Sequence, residues 1–116
     1  MTIRVVAFPI SRSELQIIAD ESPFDDLVKA VVDTDRGVMA IGGELHADEE
    51  QELLRTGSIQ RHLWGINLYP GAEGDTMIEF DSMINVRPSH GNRTRSVDDA
   101  NTQAQIVEVV KRLVVD

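Results

Sequence analysis

The sequence predicts an α+β domain: a mostly antiparallel sheet of about five strands with helices packed on one face, in the order strand, helix, hairpin, helix, hairpin, helix. Three observations lead there. Two pairs of β-branched or alternating runs are each joined by a short glycine-containing segment, which is the pattern of a β-hairpin. The last part of the chain instead repeats its apolar residues at helical spacing. A length of 116 residues, 41% of them hydrophobic, suits a single globular domain spanning 1–116, without internal repeat or linker.

Thr2 to Phe8 is β-branched and weakly alternating, a strand that stops at Pro9. Ser11 stands at capping-box distance from Glu14, and Leu15, Ile18 and Ala19 follow at helical intervals, so a short helix begins here. Ser22-Pro23 reads as a second start and predicts one helical turn over 24–27. Val28–Asp33 and Val38–Gly43 form the first hairpin, with Gly37 free to take the left-handed conformation at its turn. The second helix runs from about Asp48 to Thr56: acids crowd its first turn, Arg55 sits in its last, and Gly57 terminates it.

His62–Tyr69 and Thr76–Arg87 form the second hairpin. Pairing Tyr69 with Met77 sets Trp64, Ile66, Leu68, Ile78 and Phe80 on one apolar face, continued by Ile84 and Val86. Asn67, Glu79, Gly65 and Asp81 fall on the other, followed by Asn85 and Arg87. Leu63, Tyr69, Met77 and Met83 share that second face and make it more apolar than open water favours, so a covered face and a homo-oligomer are expected. In the last helix Ile106, Val107, Val109, Val110, Leu113 and Val114 form one stripe, and Ser96 or Asp98 can cap its start.

Composition narrows the function classes. The absence of cysteine excludes disulfides, thiol catalysis and cysteine-ligated metal. Twenty acids against eleven bases, net charge −9, make duplex nucleic acid an unsuitable partner. The apolar run before Pro9 is too short for a secretory signal or a membrane span, so no membrane partner and a soluble, cytoplasmic protein are expected.

Three constellations can carry chemistry. The stretch from Ser82 to Val97 has no acid and contains Arg87, Arg93 and Arg95, with Asn92 between them, just before the last helix. Guanidinium groups beside a helix N-terminus suit a small anion; alternatively Arg93 and Arg95 pair with the acidic segment between Gly37 and Leu54, which carries Glu44, Asp48, Glu49, Glu50 and Glu52 and no Lys or Arg, and hold the loop down. Glu44 and His46, joined by Asp81, have the right ligand types for a divalent metal, although no established metal spacing is present. The plainer reading makes Asp48, Glu49 and Glu50 complements of the helix dipole, with His46 near the cap. The polar hairpin face, where Gly65 opposes Asp81, is either a ligand surface or a solvated one. No phosphate-loop or dinucleotide signature appears, and no nucleophile can be placed beside a base.

KAVVDTDRGVMAIGGELHADEE from Lys29, LWGINLYP from Leu63, IEFDSMINVRP from Ile78 and GNRTR from Gly91 together resemble a family of small bacterial proteins of unknown function. The resemblance spans nearly the whole chain beyond the first dozen or so residues. It implies no activity and supplies no catalytic residues. Three function classes therefore stand side by side. The first is a homo-oligomeric module binding a small anionic ligand or an acidic partner through Arg87, Arg93 and Arg95. The others are a metal-assisted hydrolase or phosphoryl-transfer enzyme and a structural interaction protein without a pocket.

Overall fold

The computed structural model describes residues 2–116. In chain order it contains β1 (Arg4–Val6), β2 (Ile10–Ser11), α1 (Arg12–Glu21), β3 (Val28–Asp33), β4 (Val38–Ile41), α2 (His46–Arg55), β5 (Leu63–Leu68), β6 (Ile78–Glu79), α3 (Ala100–Leu113) and β7 (Val114–Val115). Five strands make one antiparallel sheet in the order β1-β4-β3-β5-β6. β2 and β7 form a separate short parallel pair. The α+β class and the five-stranded sheet are as the sequence predicts. Among the described residues no helix is long and apolar enough to cross a membrane.

Local chemistry sets the element ends. The Ser11 hydroxyl accepts the Glu14 N–H at 3.0 Å and starts α1. Gly37, at φ +69°, closes the β3–β4 turn in the left-handed region that favours glycine. α2 begins at His46, two residues before the expected start, with Leu45 as an N-cap that makes no side-chain bond. α3 is capped by Asp99, which accepts the Thr102 N–H at 2.9 Å, rather than by Ser96 or Asp98. The helical turn expected over 24–27 is absent. Ser22 ends α1 instead: its hydroxyl donates to the Ala19 carbonyl at 2.8 Å and accepts the Phe24 N–H at 3.2 Å. One side chain thus serves the end of the helix and the start of the loop.

The helices do not share one face, as the sequence had suggested. Leu15 and Ala19 of α1 and Ile106, Val109, Val110 and Leu113 of α3 pack on Ala30, Val32, Met39, Ile41, Ile66 and Leu68. Leu53 of α2 packs on the opposite face with Val31, Val38, Ala40 and Leu63. The physical reason lies in β4, whose run VMAI is apolar on both sides, and in β3, whose second face buries Val31 and Asp33 beside Lys29. Strands of that kind are buried on both faces. The face expected to drive assembly is therefore covered by the chain's own α2: Leu63 lies beneath that helix, and Met77 is buried in the α1–α3 core. Met83 remains exposed.

The second hairpin keeps its expected register over Asn67–Glu79 and Leu68–Ile78, and the Tyr69 N–H reaches the Met77 carbonyl at 2.8 Å. β6 then stops after two residues, whereas the sequence suggested a strand to Arg87. Gly65 explains the departure. Ser82 crosses directly over it, so that a Cβ added to Gly65 would lie 2.5 Å from the Ser82 Cβ. Asn85 then takes the place of the missing strand. Its Oδ1 accepts the Gly65 N–H at 2.8 Å, and its Nδ2 donates to the Gly65 carbonyl at 2.9 Å. As a consequence Ile84 turns toward Leu53 and Leu63, away from Trp64 and Phe80.

Candidate functional site

Strand register places Lys29 of β3 opposite Asn67 of β5, and Asn67 opposite Glu79 of β6. Side chains alternate along a strand, so this polar row shares the face that Val31 and Leu63 present to α2. Asn67 Nδ2 donates to Glu79 Oε1 at 2.8 Å, and the Tyr69 hydroxyl donates to the same oxygen at 3.0 Å. Asn67 Oδ1 is buried without a hydrogen-bond partner. Burial, then the Glu79 bond, raises the Tyr69 pKa.

The first turn of α2 closes over this row. His46 and Glu49, three residues apart, lie on one face of the helix and are both buried. His46 Nε2 bonds the Ile66 carbonyl at 2.7 Å. A carbonyl only accepts, so Nε2 carries the proton and Nδ1 keeps its lone pair. Burial lowers the His46 pKa from 6.5; Lys29 and Arg95 act in the same direction, while the Ile66 bond and Asp81 oppose it. Glu49 is fully enclosed. Its Oε2 accepts the Gly43 N–H at 2.9 Å and its Oε1 has no partner. Desolvation raises its pKa from 4.5 to about 9, against the Gly43 bond and the Lys29 charge, so the carboxyl is neutral at physiological pH.

Beside Gly43 opens a cleft of about 580 Å³ between the loop after α1 and the corner that follows β4. Ile18, Phe24, Val28 and Ile41 give it an apolar wall; Arg4, Glu21, Lys29 and Glu44 supply charge. Arg4 is paired with Glu14. Lys29 holds its ammonium 4.7 Å from the centre of the Phe24 ring and, among the described residues, forms no ion pair.

The arginine stretch is engaged differently from the sequence expectation. Arg87 stacks on Trp64 with its guanidinium carbon 4.4 Å from the ring centre, and donates to the carbonyls of Ile84, Gln60 and Leu63. Arg95 pairs with Asp81 at 2.6 Å. Asn92 is buried, with its Nδ2 on the Asn85 and Ser96 carbonyls at 2.8 Å and its Oδ1 on the Asp98 N–H at 2.8 Å. The ground before α3 is already occupied by carboxylates, since Asp98 takes the Arg93 N–H and the Thr94 hydroxyl, and Asp99 caps the helix. The structure therefore does not gather Arg87, Arg93, Arg95 and Asn92 around one anion position.

Nor does it assemble Glu44, His46 and Asp81 around a metal. Glu44 lines the cleft, His46 binds Ile66, and Asp81 binds Arg95. Among the described residues no three His, Asp or Glu side chains come close enough to hold a metal ion. The structure sets His46 against β5, beside the polar hairpin face to which the sequence reading linked it only through Asp81. Lys29 belonged to no sequence-level candidate, because a lysine in VKAVVD reads as a solvent-facing strand position. Its only signal was the register that sets it opposite Asn67.

The fold defines the class as an α+β domain built on a five-stranded antiparallel sheet, with a polar row and a cleft at the N-terminal end of α2. The chain belongs to the family described as "Protein of unknown function (DUF5674)", whose family model matches residues 4–113. Neither a curated protein nor a solved structure matches it.

Proposed function

We propose that this domain binds a small organic monoanion, a carboxylate with an apolar tail, in the cleft beside Gly43. One observation supports it above the others: Lys29, a half-buried residue, lines a cleft of ligand size with an apolar wall and, among the described residues, forms no ion pair. An ammonium in that setting gains more from an incoming carboxylate than one in open water does, because the local dielectric is lower. Glu21 and Glu44 stand exposed at the rim. Water screens them from a single charge held at Lys29, yet they oppose ligands carrying several, such as nucleotides. The anion-binding function expected of the arginine stretch thus moves to Lys29.

Titrating the protein with isovalerate, followed by amide NMR, tests this reading. Shifts should concentrate at Phe24, Lys29, Gly42 and Gly43. Lys29→Met keeps the apolar stem and removes the charge, and should weaken binding about tenfold or more, the loss expected for a charge-assisted contact. Absence of any shift for a series of small carboxylates, or full affinity in the folded Lys29→Met protein, would defeat the proposal.

A further inference from the structure

The binding reading uses Lys29 and the apolar wall and leaves the rim acids of the cleft idle. We infer that the ligand brings a positive group to them: it is an α-amino acid with a branched or aromatic side chain, its carboxylate on Lys29 and its ammonium on Glu44. This rests on the binding site proposed above, adds a charge to the ligand described there, and makes a simple carboxylate the weaker ligand of the same cleft.

Three observations lead to it. The first is the set of chemistries gathered on one cavity. Lys29, Glu44 and the apolar residues Ile18, Phe24, Val28 and Ile41 all border the same space of about 580 Å³. A cation, an anion and an apolar wall match the three groups that an α-amino acid carries on a single carbon. The second is that the two charges are not spent. Arg4 also lines the cleft but is paired with Glu14. Among the described residues neither Lys29 nor Glu44 forms an ion pair, with each other or elsewhere. Opposite charges that border one cavity without meeting leave room between them for a zwitterion, which satisfies both at once.

The third observation is how the corner that carries Glu44 is built. Ala30 with Ile41 is the last pair between β3 and β4, so Lys29 lies beside the corner Gly42-Gly43-Glu44. Gly42 stands at φ +91°, and a Cβ there would lie 2.7 Å from the Thr2 carbonyl oxygen. A Cβ on Gly43 would lie 2.9 Å from Glu49 Cγ, and the buried Glu49 carboxyl accepts the Gly43 N–H at 2.9 Å. Neither glycine takes a side chain without moving its neighbour. Thr2 and α2 thus clamp the corner from two sides, and Glu44 follows it directly at the mouth of the cleft. The Phe24 ring, 4.7 Å from the Lys29 ammonium, holds that group toward the apolar wall. Both charges therefore start from constrained positions, which lowers the ordering cost when a ligand enters.

The test titrates the full chain at neutral pH with L-leucine and with 4-methylpentanoate, which is leucine without its ammonium, and follows amide shifts by NMR. Leucine is expected to bind about fivefold more tightly, the gain of one ion pair at an exposed rim. Glu44→Gln should bring leucine down to the affinity of 4-methylpentanoate, and an unchanged melting temperature verifies the fold of that variant. Binding of 4-methylpentanoate with leucine no tighter overturns this inference and leaves the binding proposal intact. A leucine preference that survives in folded Glu44→Gln overturns it as well, because another group then holds the ammonium. Absence of binding by either ligand overturns both. Binding of leucine alone supports both readings if folded Lys29→Met loses it, and defeats both if that variant keeps it.

Discussion

Asn85→Ala should destabilise the domain by about 4 kcal/mol, because it leaves three backbone groups without partners at roughly 1–3 kcal/mol each. Those groups are the N–H and C=O of Gly65 and the carbonyl of Arg95, which Asn85 Nδ2 also reaches at 2.9 Å. The side chain is fully buried, so water cannot replace it without a local opening. Such a loss is a large share of the roughly 5–15 kcal/mol that holds a small domain together. Asn85→Asp separates hydrogen bonding from volume. It has the same shape and can still accept from Gly65, but at neutral pH it turns a negative oxygen toward two carbonyls. Urea unfolding should therefore show the Asp variant to be at least as destabilised as the Ala variant. A melting curve close to the parent's for the Asp variant would mean that volume alone matters and that the carboxamide does not stand in for a strand.

That contact also marks where the sequence stops being readable. Alternation and turn chemistry locate β3, β4 and β5, and they place the β5–β6 register correctly, since those signals are local. From Phe80 onward the pattern still alternates, and a strand is the natural reading. What overrides it is a long-range event: Ser82 reaching Gly65 and Asn85 filling the ladder. No periodicity records a side chain replacing backbone.

The contacts of the arginine stretch were only partly legible. Arg87 and Asn92 have the types an anion site uses, but Arg87 donates to the distant carbonyls of Gln60 and Leu63, which only the fold brings to it, while Asn92 bonds carbonyls of its own loop, Asn85 and Ser96. His46 was legible as a reactive type and not as a position. Its placement depends on α2 lying on the face opposite α1 and α3, which β3 and β4, buried on both faces, allow. Lys29 was legible in neither respect.

Glu49→Gln should stabilise the protein, and increasingly so as pH rises. The native carboxyl has its pKa raised to about 9 from an ordinary value of 4.5. Below pH 4.5 both folded and unfolded chains hold the proton, and the group contributes no pH dependence. Between 4.5 and about 9 the native chain keeps a proton that the unfolded chain releases, so stability falls as pH climbs through that window. Above it both forms are ionised and the loss is complete. Glutamine resembles the protonated acid and cannot ionise. The gain over wild type should therefore grow by about 1.4 kcal/mol per pH unit, reaching roughly 3 kcal/mol at neutral pH. His46 works in the opposite sense, because its lowered pKa makes the unfolded chain the better proton binder only below 6.5. Comparing the two proteins by urea unfolding from pH 7 to 9 isolates Glu49, and parallel curves would mean that its carboxyl is ionised in the native state. Glu49 has a structural task on the same helical face as His46: a leucine there would leave the buried Gly43 N–H, which Glu49 Oε2 accepts, without a partner. Glutamine keeps an acceptor for that donor, so the comparison separates the cost of the charge from that of the hydrogen bond.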